Sequence, residues 1–326
     1  MKNQPIRMSK PISRRAALAG IGGAGALSVA GAALAPGLAA AAPSPAKTTA
    51  PAGTEQLFLS FFAAKSAHSP DRTMAFFDQA NTTYTDGTLG WIFPTWAALK
   101  ALFEQYMPQW PPAARSYPTR ILGGENGAAV FFTNTPEEFG HEIRGIAAAD
   151  IRDGKFVRWV DYWDGRHFGV AATESLRVPA AKFPADFGES KVGQLVPATL
   201  GQTVAELSGS LARGDAQAAT AVFAEDGVLE DLTLHIEVVG RQSVAGYLGR
   251  ALAHLPYGQG AGVRHIVGGD GGGAYEWVNS AGPVPRGVSA VELNAAGQVT
   301  RLSSIWDGSL VQPTWLAQQT ALTTEQ

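Results

Sequence analysis

The chain of 326 residues is 45% hydrophobic and 16% charged and has no cysteine, which excludes disorder, collagen and a disulfide scaffold and leaves room for two domains. Without sulfur, thiolate metal sites, iron–sulfur clusters and thiol nucleophiles are excluded too. The net charge of −3 hides an asymmetry: Lys2, Arg7, Lys10, Arg14 and Arg15 precede the first acid, Glu55, and without them 20 bases face 28 acids, so the body has no electrostatic affinity for nucleic acid or anionic lipid.

Residues 16–42 carry no charge and consist of Ala and Gly with scattered Leu, Ile and Val. The run is long enough to span a bilayer, but its weak hydrophobicity, the basic residues before it and its small-residue end read as a cleavable export signal. Ser13-Arg14-Arg15-Ala16-Ala17-Leu18 resembles the twin-arginine signal of bacterial Tat substrates. That resemblance implies a periplasmic or secreted protein with no stable membrane association after cleavage. Gly20-Ile21-Gly22-Gly23-Ala24-Gly25 satisfies a dinucleotide-binding pattern, but no strand precedes it and it lies within the signal. Residues 43–53, rich in Pro, Ala and Thr, read as a flexible tether.

The body is written twice. An offset of 145 residues places Asp86 on Asp231, Arg120 on His265 and Gly123-Gly124 on Gly268-Gly269; a two-residue deletion then places Trp163-Asp164-Gly165 on Trp306-Asp307-Gly308. So long a period gives two domains rather than a solenoid: 54–177 and 198–318, with a linker at 178–197 and a tail at 319–326.

Each copy opens with an amphipathic helix, marked by Phe58, Phe61 and Phe62 or by Val204, Leu207 and Leu211. Ser69-Pro70-Asp71 starts a second helix, with Ser as cap, Pro in the first turn and Asp at the positive end of the dipole. A short strand follows, 82–86 or 228–232. A third helix then carries a buried stripe of Trp96, Leu99 and Phe103, or of Val244, Tyr247, Leu248 and Ala251. Segments 128–134, 140–151 and 156–163 are strand-like and separated by turn signals, and 268–273 reads as a hairpin turn.

Helices first and an antiparallel sheet afterwards give an α+β cone with a pocket in the concave face of the sheet. Each copy resembles the NTF2-like superfamily in its SnoaL-like branch, which includes polyketide cyclases, ketosteroid isomerases and limonene epoxide hydrolases. The fold implied is two tandem NTF2-like cones, each with three N-terminal helices on a curved antiparallel sheet. The two copies are expected to pack as an intramolecular pseudo-dimer.

Strand alternation turns Tyr84 and Asp86 to one side, and Trp159, Asp161 and Trp163 likewise, so both aspartates enter one aromatic-walled cavity. Burial there raises a carboxyl pKa toward neutrality and makes it a proton shuttle. The resemblance agrees. Asp86 falls where ketosteroid isomerases place an aspartate, and Trp159-Val160-Asp161-Tyr162-Trp163-Asp164 is similar to the strand carrying the epoxide hydrolases' catalytic aspartate. The Arg-x-Asp of those hydrolases falls on Thr133-Asn134-Thr135, which argues against their reaction here.

Asp86, Asp161 and Tyr84 are thus the candidate catalytic residues, with Trp159, Trp163, Trp96 and Phe131 lining the substrate. The expected chemistry is isomerisation, cyclisation or dehydration of a small apolar carbonyl compound; the competing class is a non-catalytic binder of a hydrophobic small molecule. In the second copy Leu229, Leu302 and Ser304 stand for Tyr84, Trp159 and Asp161. Its pocket retains Asp231, His265 and Trp306 and reads as a buttress. Glu137 and Glu138 read as a solvated turn. No metal is expected, because none of the six histidines shows ligand spacing, and no cofactor is called for.

Overall fold

The computed structural model describes residues 44–324; the segment read above as an export signal lies outside them. The first repeat packs α1 (Ala52–Ser66), α2 (Pro70–Met74) and α3 (Trp96–Tyr106) on a seven-stranded sheet. Its strands are β1 (Lys47–Thr48), β2 (Thr83–Asp86), β3 (Trp91–Phe93), β4 (Ser116–Gly123), β5 (Gly127–Asn134), β6 (Ile143–Arg152) and β7 (Lys155–Trp163), in the order β1-β4-β5-β6-β7-β2-β3. Short helices α4 (Pro136–Phe139) and α5 (Val170–Leu176) follow β5 and β7, and α6 (Glu189–Val192) lies in the connection.

The second repeat packs α7 (Ala198–Arg213), α8 (Ala216–Ala221) and α9 (Arg241–Ala251) on six strands. These are β8 (Phe223–Asp231), β9 (Ile236–Val239), β10 (Gly262–Gly269), β11 (Gly272–Val278), β12 (Arg286–Leu293) and β13 (Val299–Trp306), in the order β10-β11-β12-β13-β8-β9, and α10 (Pro313–Ala321) closes the chain. Both repeats are α+β folds with the three helices expected. No described helix is long and apolar enough to cross a membrane.

The helix starts follow their sequence signals. Ser69 accepts from the Arg72 N–H, Thr95 from that of Ala98 and Asp215 from that of Ala218. The sheets depart from pure antiparallel pairing, because β2 joins β7 in parallel and β8 joins β13 in parallel. The tether is also partly ordered: Lys47 and Thr48 pair with Arg120 and Ile121 at the sheet edge. In the connection, Phe187 is fully buried.

The duplication reaches into irregularities. The register slips between Pro118 and Arg120 in the first sheet and between Val263 and His265 in the second; it slips again between Asp150 and Ile151, and between Glu292 and Leu293. Such bulges bend their strands, so equivalent places bend in both sheets.

Alternation gives every strand two faces with different partners. One face of each sheet meets that repeat's own helices, forming one core around Phe58, Phe61, Trp159 and Phe132 and another around Val204, Leu248, Tyr275 and Trp306. The opposite faces share a third core, in which Phe131, Ile146, Val160 and Tyr162 pack with Val267, Ala274, Val288 and Ile305. The two repeats therefore sit sheet against sheet.

At the crossing, Gly123-Gly124 meets Gly268-Gly269. A Cβ on Gly269 would lie 2.5 Å from the Gly123 carbonyl oxygen, and one on Gly124 would lie 3.0 Å from that of Gly268. Ionic contacts are reciprocal as well: Arg120 bonds Glu292 at 3.1 Å, and His265 bonds Asp150 at 2.9 Å. Substituting Gly269→Ala should cost about 1–3 kcal/mol through overpacking against backbone, measured by urea unfolding, whereas Gly282→Ala, which meets nothing within 4 Å, should not. Equal stability of the two variants would show that the sheets can slide apart without penalty.

Candidate functional site

On β2, Thr83 and Thr85 are fully buried while Tyr84 and Asp86 on the other face are half-buried. The parallel ladder pairs Tyr84 with Trp159 and Asp86 with Asp161, which sets the two aspartates side by side, about 5 Å apart in the sheet direction. The Tyr84 hydroxyl donates to Asp161 Oδ2 at 2.6 Å, and the Trp159 indole donates to the same oxygen at 3.1 Å. The Tyr84 and Trp159 rings are nearly parallel, with centroids 6.4 Å apart.

Asp86 is held differently. Its Oδ1 accepts from the N–H groups of Thr88 at 2.9 Å and Leu89 at 2.8 Å, and its Oδ2 from the Trp163 indole at 3.1 Å. Gly87 makes this turn possible, since a Cβ there would lie 2.6 Å from the Tyr162 ring.

Burial pushes the Asp86 carboxyl up to about 8, with the neighbouring Asp161 charge as the second cause. Burial also raises Asp161, against the lowering effect of Tyr84, Trp159 and the nearby Lys65 ammonium. Tyr84 is driven well above its ordinary value by burial and then by the Asp161 charge. The two carboxyls form one coupled unit that retains a proton near neutrality.

The deep end of this cone is solid. Trp159 is buried against Phe58, Phe61, Phe62, Phe77 and Phe156, with ring centroids 5.1–6.5 Å away. Access lies at the rim, where Tyr84, Asp86, Phe93 and Trp96 keep partial exposure. Trp96 is fixed there, its indole donating to the Met74 carbonyl at 3.2 Å. A hollow of ≈ 90 Å³ between Ala80, Asn81, Pro94, Arg152, Lys191 and Val192 lies elsewhere and includes none of the candidate residues.

Two placements differ from the sequence reading. Phe131 does not line the cone: alternation gives that wall to Phe132, and Phe131 faces the other repeat with the Arg120 guanidinium 4.2 Å from its ring centroid. His265 does not enter the second pocket either. After the bulge on β10, Ile266 takes the pocket side and His265 Nε2 meets Asp150 of the first repeat at 2.9 Å. Asp231 and Trp306 do come together. Asp231 accepts from Thr233 and Leu234 N–H at 2.9 and 2.8 Å and from the Trp306 indole at 3.0 Å, the same clasp as Asp86 with Trp163.

Sequence reasoning missed a polar cluster in the first cone. Lys65 Nζ lies 3.0 Å from Glu138 Oε1, 3.1 Å from Ser116 Oγ and 3.0 Å from Asn134 Oδ1, and Ser116 Oγ donates to Asn134 at 2.6 Å. Glu138 is buried rather than solvated, and burial raises its pKa. The signal was present in α1, where Lys65 follows Phe58, Phe61 and Phe62 on one helical stripe. The ammonium reaches Asn134, inside the segment that replaces the hydrolases' Arg-x-Asp.

No protein-family model matches the chain, and no curated protein does either. Among solved structures it is similar to a cystatin-like-fold protein from Silicibacter pomeroyi, 21% identical over 39% of this chain and 85% of the other with a TM-score of 0.32. A steroid delta-isomerase from Pseudomonas aeruginosa is 15% identical over 40% and 93% with a TM-score of 0.32, and an NTF2-like protein of unknown function from Burkholderia xenovorans is 16% identical over 44% and 96% with a score of 0.30. The two-repeat architecture rests on the chain's own strands and helices, not on these overlaps.

A carboxyl whose native pKa exceeds its unfolded value binds its proton more tightly when folded, so its stability contribution is full below pH 3.8 and fades as pH rises toward about 8. The melting temperature should therefore fall from pH 5 to pH 9, by a loss on the order of a few kcal/mol. Asp161→Asn removes the neighbouring charge and should flatten that fall; Asp231, also raised to about 6 by burial, titrates in both proteins and cancels in the comparison. Parallel pH profiles for wild type and Asp161→Asn would contradict the coupling.

Proposed function

We propose that the first repeat is a proton-transfer site for a small, mostly apolar carbonyl compound, acting by isomerisation, cyclisation or dehydration. One observation carries the reading: two carboxyls paired across β2 and β7, one of them hydrogen-bonded to Tyr84 and the pair retaining a proton near neutrality. The ionised member removes a proton next to the substrate carbonyl, and the protonated member donates to the oxygen on which negative charge develops. Half-buried Trp96 and Phe93 would hold the apolar part of the substrate, and Trp159 beneath them keeps water from the carboxyls.

Asp161 and Tyr84 are the discriminating residues, because the Asp86 clasp recurs at Asp231 in a repeat that lacks both. That recurrence favours a second reading, in which Asp86 closes a turn and the cone binds a hydrophobic molecule without converting it. With a turnover assay in hand, Asp161→Asn should lower kcat by about 10²–10⁴-fold while leaving ligand affinity within a few-fold, and Ser304→Ala in the other repeat should change neither. Undiminished turnover in Asp161→Asn would favour the binding role.

We also propose export through the Tat pathway and a monomer in which the repeats take the place of two subunits, as the reciprocal Arg120–Glu292 and His265–Asp150 contacts support. Replacing Arg14-Arg15 with Lys-Lys should leave the protein in the cytoplasm, read by cell fractionation. Continued export would remove the twin-arginine route.

A further inference from the structure

Where the connection runs between the repeats, three guanidiniums gather around two aromatic rings. The Phe183 and Phe187 ring centroids are 6.1 Å apart. Arg286, the first residue of β12, has its guanidinium carbon 3.5 Å from the Phe183 centroid, and that of Arg264 on β10 is 4.1 Å from the Phe187 centroid. Arg177, just past α5, bonds Asp307. Asp307 follows Trp306, which pairs with Gly287, so the ladder sets Asp307 opposite Arg286.

The acids at this place are already engaged. Asp307 Oδ1 accepts from the Gly165 N–H at 3.1 Å and from the Ser309 N–H and hydroxyl at 2.9 and 2.6 Å, while its Oδ2 takes Arg177. Glu189 takes Arg264 at 3.3 Å on one oxygen and the Phe187 N–H at 2.7 Å on the other. Arg286 is left over. Among the described residues its guanidinium forms no ion pair and donates no hydrogen bond, and the buried Nε–H groups of Arg177 and Arg264 have no partner either. Burial, and then the charges of Arg264 and Arg177, pull Arg286 down to about 10 against the opposing effect of Tyr162 and Asp307. It stays charged at neutral pH, and the fold gives it no counter-ion.

The first repeat shows what is missing. Arg144 holds the corresponding place, since Gly145 pairs with Trp163 as Gly287 pairs with Trp306. It is 70% exposed and bonds Glu142 at 2.7 Å. Two residues before Arg286 stands Val284 instead, buried in the core of its repeat. The second repeat has thus kept the cation, covered it with Phe183 and given up its acid. A charge drawn partly out of water is costly unless it is paired, and the ladder itself does not require an arginine at the start of β12.

We propose that Arg286, flanked by Arg177 and Arg264, binds a small oxyanion, a carboxylate or phosphate group, at the junction of the two repeats. The sign follows from three guanidiniums facing two engaged carboxylates. The geometry follows from Phe183, which covers a face of the Arg286 guanidinium and leaves its N–H edge to donate; that edge fits two oxygens of one carboxylate or phosphate in parallel bonds. Small size follows from the flanks, since the Arg177 and Arg264 side chains are only 17% and 11% exposed. A bound anion there ties β12 to the connection and to the end of α5, and it stabilises the joined repeats without entering either cone.

The test is thermal unfolding of the full chain in sodium acetate, sodium phosphate and sodium chloride at equal pH and ionic strength. Phosphate also stabilises proteins by exclusion from their surface, so the reading is the difference between wild type and variants. The wild-type melting temperature should rise saturably over chloride in acetate, in phosphate or in both, by about 3 °C or more at saturation; the stronger arm tells a carboxylate from a phosphate. Arg286→Gln should lose this rise, and so should Arg286→Met, which keeps an apolar stem on Phe183. Arg72→Gln, exposed on α2, should respond as wild type does. Circular dichroism in chloride verifies that each variant is folded. A wild type with no saturable rise in either salt, or a rise of equal size in the Arg286 variants, would overturn the proposal.

Discussion

Arg158 has no exposed side-chain surface and lies 2.7 Å from Glu276 of the other repeat, which has none either. Neither charge could remain there alone, since removing one partner of a buried pair costs about 3–5 kcal/mol. Asp150 at 3.3 Å, the Phe187 carbonyl at 3.1 Å and the Tyr162 hydroxyl on Glu276 at 2.9 Å complete the set. This network fixes which face of each sheet turns inward. Once Arg158, Tyr162 and Glu276 face the partner repeat, alternation sends Trp159, Asp161 and Trp163, and likewise Tyr275 and Trp277, to the helix side. Which side chains enter each cone is set by a pairing made on the opposite face of the same strands.

The two repeats have kept their geometry while exchanging chemistry. Arg120 with Glu292 and His265 with Asp150 occupy corresponding places, as do Phe131 and Glu276, yet one side of the interface stacks an arginine on an aromatic ring while the other buries a charge pair. Gly87 and Leu232 correspond in the same way. The first leaves room for the Tyr162 ring, and the second packs where Ile305 is smaller. A chain of separate identical subunits would have to use one residue for both sides of such an interface. Fusion removes that requirement, and it lets the interior of each cone diverge as well.

Much of this was legible in the sequence because period and offset are physical signals. The stripes on α1, α3, α7 and α9 named their buried residues correctly apart from Trp96, which is half-buried, and the 145-residue offset located the equivalent glycines. Face assignment on the strands was harder. Phe131 and Phe132 are adjacent aromatics, so composition could not say which one lines the cone, and the bulge before His265 shifted an alternation that would otherwise be counted straight through. Lys65 and Glu138 are far apart in sequence, and a long amphipathic side chain on a phenylalanine stripe reads as a boundary until its partner is seen. Connections were the least legible, since Phe187 is buried by a tertiary contact that nothing local announces.

The Asp–Trp clasp separates what is architectural from what is chemical. In both repeats an aspartate at a strand end accepts two backbone N–H groups and an indole, while a threonine two residues on bonds both backbone groups of that tryptophan. This ties the short strand to the last strand of each sheet and needs no substrate to explain it. What the first repeat adds is a second carboxyl with a tyrosine on it, where the second repeat has Ser304 and Leu229. The first repeat therefore gathers a pair of acids where the second keeps a single one in the clasp. The clasp common to both repeats is thus scaffold, and what distinguishes the first cone is the acid pair built onto it.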